Sequence, residues 1–165
     1  ISSKVFIPMT ALDTFATVSN SERVYADNAN MWFIELPVPS EEKLYAIAAI
    51  INSILFSVLA RSIANPQDGG YFKFNKQFLE PIPFPVESFN NSPELITRLA
   101  SISKDIEGRQ VQYKQSPNNR TILSSILREL WNQLDSLVYS LYDLSDDQIR
   151  FFNKRGRNIN RVQSL

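Results

Sequence analysis

From Leu44 to Ala60 the chain carries no charged residue, and its positions are mostly apolar. Ser40 precedes this run with Glu41, Glu42 and Lys43, the pattern of an N-cap whose acids complement the positive end of a helix. The pattern predicts a long helix over 41–64. Its seventeen uncharged residues stand at the bottom of the range that crosses ~30 Å of hydrocarbon. Asn52, Ser53 and Ser57 interrupt them, and no second span or signal-type flank accompanies them. A buried central helix, packed through Asn52 and Ser53 or tied by them to a neighbouring turn, is the expectation, with no membrane partner.

Two later stretches repeat apolar residues in alternating steps of four and three: Leu95, Leu99, Ile102, Ile106, and then Leu123, Leu127, Leu130, Leu134, Leu137, Leu141. That spacing is a coiled-coil seam, and the polar loop 115–119 between the stretches predicts an antiparallel hairpin. A second stripe, Ile126, Trp131, Val138 and Tyr142, faces the strands or an absent neighbour. Ser145-Asp146-Asp147-Gln148 has the form of a capping box for a short helix to about Lys154. The polar, basic end after Gly156 is expected to fray.

Ahead of the central helix, Lys4–Met9, Phe15–Val18, Arg23–Tyr25 and Met31–Leu36 read as short strands between polar turns, in a meander or part of a small barrel. The resulting fold class is α+β, with small antiparallel strand elements packed on a long buried helix and followed by an antiparallel coiled-coil-like helical hairpin. Residues 1–88 form the α+β portion, and 89–165 the hairpin with its short C-terminal helix and basic tail.

Between these portions, residues 65–85 combine several devices. Gly69 and Gly70, two of the four glycines in the chain, follow Asn65-Pro66-Gln67-Asp68 and predict a tight turn with at least one positive φ. Tyr71-Phe72-Lys73-Phe74 reads as an aromatic strand, with Lys73 opposite Phe72 and Phe74. Asn75 is placed to cap a turn through Leu79, and Pro81, Pro83 and Pro85 enforce an extended exit. The segment presents Lys73, Asn75, Lys76 and Gln77 on a stiff frame. The aromatics are expected to fill core, and the amides either cap the turn or face outward.

The chain has no cysteine and no histidine, which removes disulfides, thiolate chemistry and imidazole bases. It shows no phosphate-cradling glycine loop, metal-ligand cluster or nucleophile–base pair. Formal charge is zero overall, but Arg150, Lys154, Arg155, Arg157 and Arg161 follow the last acid, Asp147. A recognition module rather than a catalyst is the expectation. The start at Ile1, directly before a strand, is taken as that of a piece of a larger protein.

The order of these features carries a resemblance. The helix with Ile50-Ile51-Asn52-Ser53-Ile54-Leu55-Phe56, the block from Gly69 to Glu80, the exit Pro81-Ile82-Pro83-Phe84-Pro85 and the closing Leu141-Tyr142-Asp143-Leu144-Ser145-Asp146-Asp147-Gln148-Ile149 together resemble the C-terminal target-recognition domain of TaqI-like adenine-specific DNA methyltransferases, including single-chain restriction-modification enzymes. The likeness covers about Lys4 to Ile149 and extends more loosely to specificity subunits of type I restriction systems. It implies a cytoplasmic protein that reads double-stranded DNA beside a catalytic methyltransferase domain, in cis or as a subunit. It also implies that S-adenosylmethionine belongs to that other domain. Here Asn65-Pro66 is followed by Gln67-Asp68, so the family's Asn-Pro-Pro-Tyr-like motif is missing, as is a nuclease motif of the Pro-Asp…Asp/Glu-X-Lys kind. By the same resemblance Lys73, Asn75, Lys76 and Gln77 are candidate DNA contacts. The basic tail is either ordinary solubility charge or a phosphate-binding surface, with Arg155 and Arg157 as candidate phosphate contacts. Half of a type I specificity subunit and a coiled-coil protein–protein adaptor are the competing readings.

Overall fold

The structure, a computed structural model, describes residues 3–19 and 30–162. Three consecutive residues near its start, Val5, Phe6 and Ile7, are all buried. A strand with one wet face would alternate, whereas this run is covered on both faces of its sheet. Within the sheet, β1 (Lys4–Pro8) is the central strand. The chain continues into the two-residue β2 (Thr10–Ala11), and β3 (Thr17–Ser19) and β4 (Met31–Ile34) then flank β1 on either side. Both pairings are antiparallel, with Val5 opposite Val18 and Ile34. The order β3-β1-β4 corrects the expected meander, because the first strand takes the middle place. The expected strand at Arg23–Tyr25 lies outside the described residues.

The uncharged run after Ser40 forms two helices rather than the one expected. In α1 (Glu41–Ile51) the Ser40 hydroxyl accepts from the Lys43 N–H at 3.2 Å. A break at Asn52 and Ser53 follows, and α2 (Ile54–Ile63) is turned by 59°. Ser53 caps α2: its Oγ accepts from the Phe56 N–H at 3.2 Å and donates to the Ile50 carbonyl at 2.7 Å. The Asn52 carboxamide pairs with Ala16, accepting from its N–H at 2.7 Å and donating to its carbonyl at 2.8 Å. Both residues are buried, and an unmatched polar group there costs about 1–3 kcal/mol. These bonds therefore hold the bend. No single helix among the described residues is long and apolar enough to cross a membrane; α1 and α2 reach that length and hydropathy only as a bent pair.

Beyond α2, β5 (Asn65–Pro66) and β6 (Phe72–Lys73) join β2 in a second antiparallel sheet of order β2-β6-β5. Residues 4–11 thus run from one sheet into the other. Two short helices, α3 (Lys76–Leu79) and α4 (Val86–Asn91), lead to α5 (Pro93–Gln115), a 3-10 turn at Pro117–Asn119, and α6 (Arg120–Leu141). These last two helices pair as the hairpin, but α5 also packs on α1. Its buried residues, Ile96, Leu99, Ala100, Ser103, Ile106 and Gln110, are correspondingly broader than one seam. Buried residues from Val5 to Leu141, on both sides of the 88/89 division, form one cluster.

After α7 (Asp146–Arg155), whose capping box has both of its bonds, the segment 157–162 turns back onto the core instead of fraying. Gly156 allows this, since a Cβ there would collide with Ile54 Cγ2. Arg161 forks onto Asp135, Nη1 to Oδ1 at 2.9 Å and Nη2 to Oδ2 at 2.6 Å. It also donates to the Asn52 carbonyl at 3.3 Å and lies 4.6 Å over the Trp131 ring.

Leu127 is fully buried, whereas Leu130 of the same seam is only partly so. Leu127→Ala should cost about 2–5 kcal/mol, and Leu130→Ala less. Urea midpoints check this, and equal losses would contradict it. A second expectation concerns alkaline pH. The Tyr45 hydroxyl donates to Glu107 at 3.0 Å, and burial, then the Glu107 charge, push its phenol up to about 12. Burial pushes Tyr142, which donates to the Pro83 carbonyl at 2.9 Å, up to about 12 as well. The fold favours both neutral phenols, so their contribution is complete below pH 10, the ordinary tyrosine value, and is lost as pH rises through 12. Alkaline unfolding followed by circular dichroism should coincide with the late part of the tyrosinate absorbance rise. Full tyrosinate formation near pH 10 in a folded chain would contradict it.

Candidate nucleic-acid interface

The candidate surface begins with the backbone of the glycine pair. Gly69 has φ 74° and Gly70 φ 82°, two successive left-handed residues that carry the chain from β5 into β6. Across this turn the Gln67 N–H donates to the Tyr71 carbonyl at 2.7 Å, and Asn65 pairs with Lys73. The aromatic stretch then alternates as expected. Phe74 is fully buried, Phe72 half-buried with its ring stacked 6.1 Å from that of Phe74, and Lys73 between them is exposed. Tyr71, at 45% exposure, is not core. Phe74 is fastened through its backbone: its N–H donates to the Met9 carbonyl at 2.7 Å, and its carbonyl accepts from Trp32 Nε1 at 3.1 Å. The frame is therefore held from behind by both sheets.

Asn75 occupies the N-cap position of α3, but its side chain makes no capping bond. Its carbonyl closes the turn instead, accepting from the N–H groups of Phe78 at 2.8 Å and Leu79 at 3.2 Å. A single turn needs no more, so the expected side-chain cap is corrected and the carboxamide is left half-buried at the surface. Gln77 and Lys76 are exposed. Lys76 forms an i,i+4 pair with Glu80 at 3.3 Å, both side chains well over half exposed. Such a pair contributes only about 0.3–0.5 kcal/mol and exchanges readily for another anion. Lys73 enters no ion pair among the described residues.

No family model matches the chain, and no curated protein matches it either.

The two arginines nominated for phosphate contact are brought to different places. Arg155 is exposed, 5.5 Å over the Phe151 ring, and lines a groove of about 480 Å³ between α2 and α7 that also reaches Phe72. Arg157 opens onto another groove, lined also by Ile54 at the start of α2 and by Arg128. From the last turn of α2, Arg61 lies 4.9 Å over Phe72 and pairs with Asp13 at 3.0 Å. Burial pushes the Asp13 carboxyl up, against the pull of Arg61. Arg61, Arg128 and the buried Asp135–Arg161 pair were missed from the sequence. An acid lodged between Leu134 and Leu137 was the available signal for Asp135.

Around Gly70 there is open space, so only the backbone conformation demands glycine. Gly70→Val should cost about 1–2 kcal/mol, and Gly70→Asn, whose side chain tolerates left-handed backbone, clearly less. Thermal unfolding of the two variants compares them; identical losses would show that φ is not the constraint.

Proposed function

We propose that this chain reads a target sequence in double-stranded DNA, as the non-catalytic recognition portion of a cytoplasmic adenine-specific methyltransferase or restriction-modification enzyme. What supports the reading most is the cassette from Gly69 to Gln77. Exposed Lys73, Lys76 and Gln77 and half-buried Asn75 stand on a turn set by two left-handed glycines and anchored through buried Phe74. Lysines serve as phosphate contacts that position a protein on the duplex, and carboxamides can pair with the N6 and N7 edge of adenine in the major groove. The partner is a catalytic methyltransferase domain, in cis or as a subunit, which supplies the S-adenosylmethionine site. That α5 is covered by both α1 and α6 weighs against a free coiled-coil adaptor.

The test is selection from randomised duplexes, followed by titration on selected and scrambled duplexes at several salt concentrations. Lys73→Ala and Lys76→Ala should weaken binding to both and lower the log–log salt slope by roughly one each. Asn75→Ala and Gln77→Ala should cost on the order of 1–3 kcal/mol on the selected duplex and little on the scrambled one. Wild-type binding by all four variants would reduce this segment to scaffolding.

A further inference from the structure

The N-terminal end of α2 borders a groove that the cassette at its other end does not reach. Its volume is about 540 Å³, and its walls are α6, the end of α7 and the pinned segment after Gly156. None of the described residues lining it is a carboxylate. Two exposed guanidiniums, Arg128 from α6 and Arg157 from the tail, open onto it. Neither enters an ion pair among the described residues. The amides of Asn132, Asn153 and Asn158 stand around them. Asn153 is oriented, because its Oδ1 accepts from the Tyr139 hydroxyl at 2.8 Å, which leaves the amide nitrogen as its outward-working end. Arg161, the third guanidinium of the lining, is already spent on Asp135.

Two uncompensated cations and a set of amide donors, with no acid among them, repel metal ions and leave a neutral ligand with nothing to neutralise. They match an oxyanion, and the planar fork of arginine matches phosphate in particular. The wall is also arranged in advance: Arg161 clamps the tail to Asp135, and Gly156 lets it lie against Ile54. We propose that this groove is a phosphodiester-binding surface, in which Arg128 and Arg157 take backbone phosphates and Asn153 and Asn158 donate to them. The proposal deepens the DNA reading and rests on it for the choice of a backbone phosphate over a free one. The ten residues of α2 set this groove, at the N-terminal end of the helix, roughly 15 Å from the C-terminal end, beyond which the chain runs into the glycine turn. That length is on the order of four base-pair steps, within the span of a short duplex.

The experiment is an NMR titration of the labelled chain with a short duplex, inorganic phosphate and a polyglutamate peptide in parallel. Binding of the duplex at graded salt is measured beside it for the wild type and for Arg128→Gln/Arg157→Gln. The duplex should shift the side-chain amide signals of Asn153 and Asn158 at concentrations where equal phosphate or peptide does not. The double variant should lose those shifts, keep the wild-type melting midpoint and lower the log–log salt slope by about two. Shifts with phosphate alone would make this a free-phosphate site, and shifts with the peptide alone a protein-docking site; either overturns the proposal. So does a duplex that binds and responds to Lys73→Ala while leaving Asn153 and Asn158 unmoved, a result under which the DNA reading survives. Absence of duplex binding by the wild-type chain overturns both.

Discussion

One buried carboxylate joins three distant parts of this chain. Asp135, in the middle of α6, accepts from the Ile54 N–H at 2.9 Å with the same Oδ1 that takes Arg161, while Oδ2 takes the second arm of the guanidinium. It thereby neutralises a buried cation and caps the positive end of α2, whose first N–H groups have no helical partner. Desolvating two charges is expensive, so such a pair is weak evidence for net stability. Its value here is positional. The carboxylate joins Ser53 in holding the start of α2, and Arg161, donating also to the Asn52 carbonyl, ties the tail to the same point.

What the bend positions follows from α2 acting as a short rod. At one end Ser53 and Asp135 hold its N-terminus; at the other, Arg61 in its last turn meets Asp13 and the face of Phe72. The glycine turn and its lysines and amides hang directly from that second end. Thr14 ties the bend to the strand region: its hydroxyl donates to the Ile51 carbonyl at 2.7 Å and pairs with the Ser57 hydroxyl at 2.6 Å. With its one proton committed to Ile51, Thr14 accepts from Ser57. Both candidate contact surfaces therefore inherit their spacing from the geometry of one helix.

Features set by near neighbours were legible in the sequence. The Ser40 cap, the Ser145 capping box, the leucine alternation of α6 and the left-handed glycines are each decided within a few residues, and each is found where its pattern placed it. The break at Asn52 was not legible, because its partner Ala16 lies 36 residues away and the Asp135 bond to Ile54 spans 81. In an apolar run, two polar residues look the same whether a helix continues through them or stops. Likewise the tail reads as solvated because it is basic and polar, and only the placement of Asp135 26 residues before Arg161 reverses that. Val5-Phe6-Ile7 marked a strand, yet neither its central place nor its neighbours in the sheet could be read from it. The cassette residues could be named from local chemistry, whereas Arg128 meets Arg157 only through the packing of the tail on α6.

The claim that Asp135 pins the tail to the start of α2 through Arg161 is tested most directly by a double-mutant cycle with Asp135→Asn and Arg161→Met, read by urea unfolding. Each single change strands a buried charge or donor and should cost about 3–5 kcal/mol. The double variant should cost well under their sum, a coupling on the order of 2–3 kcal/mol. Costs that add to within about 0.5 kcal/mol would mean that Asp135 and Arg161 act independently, and that the docked tail is held by something else.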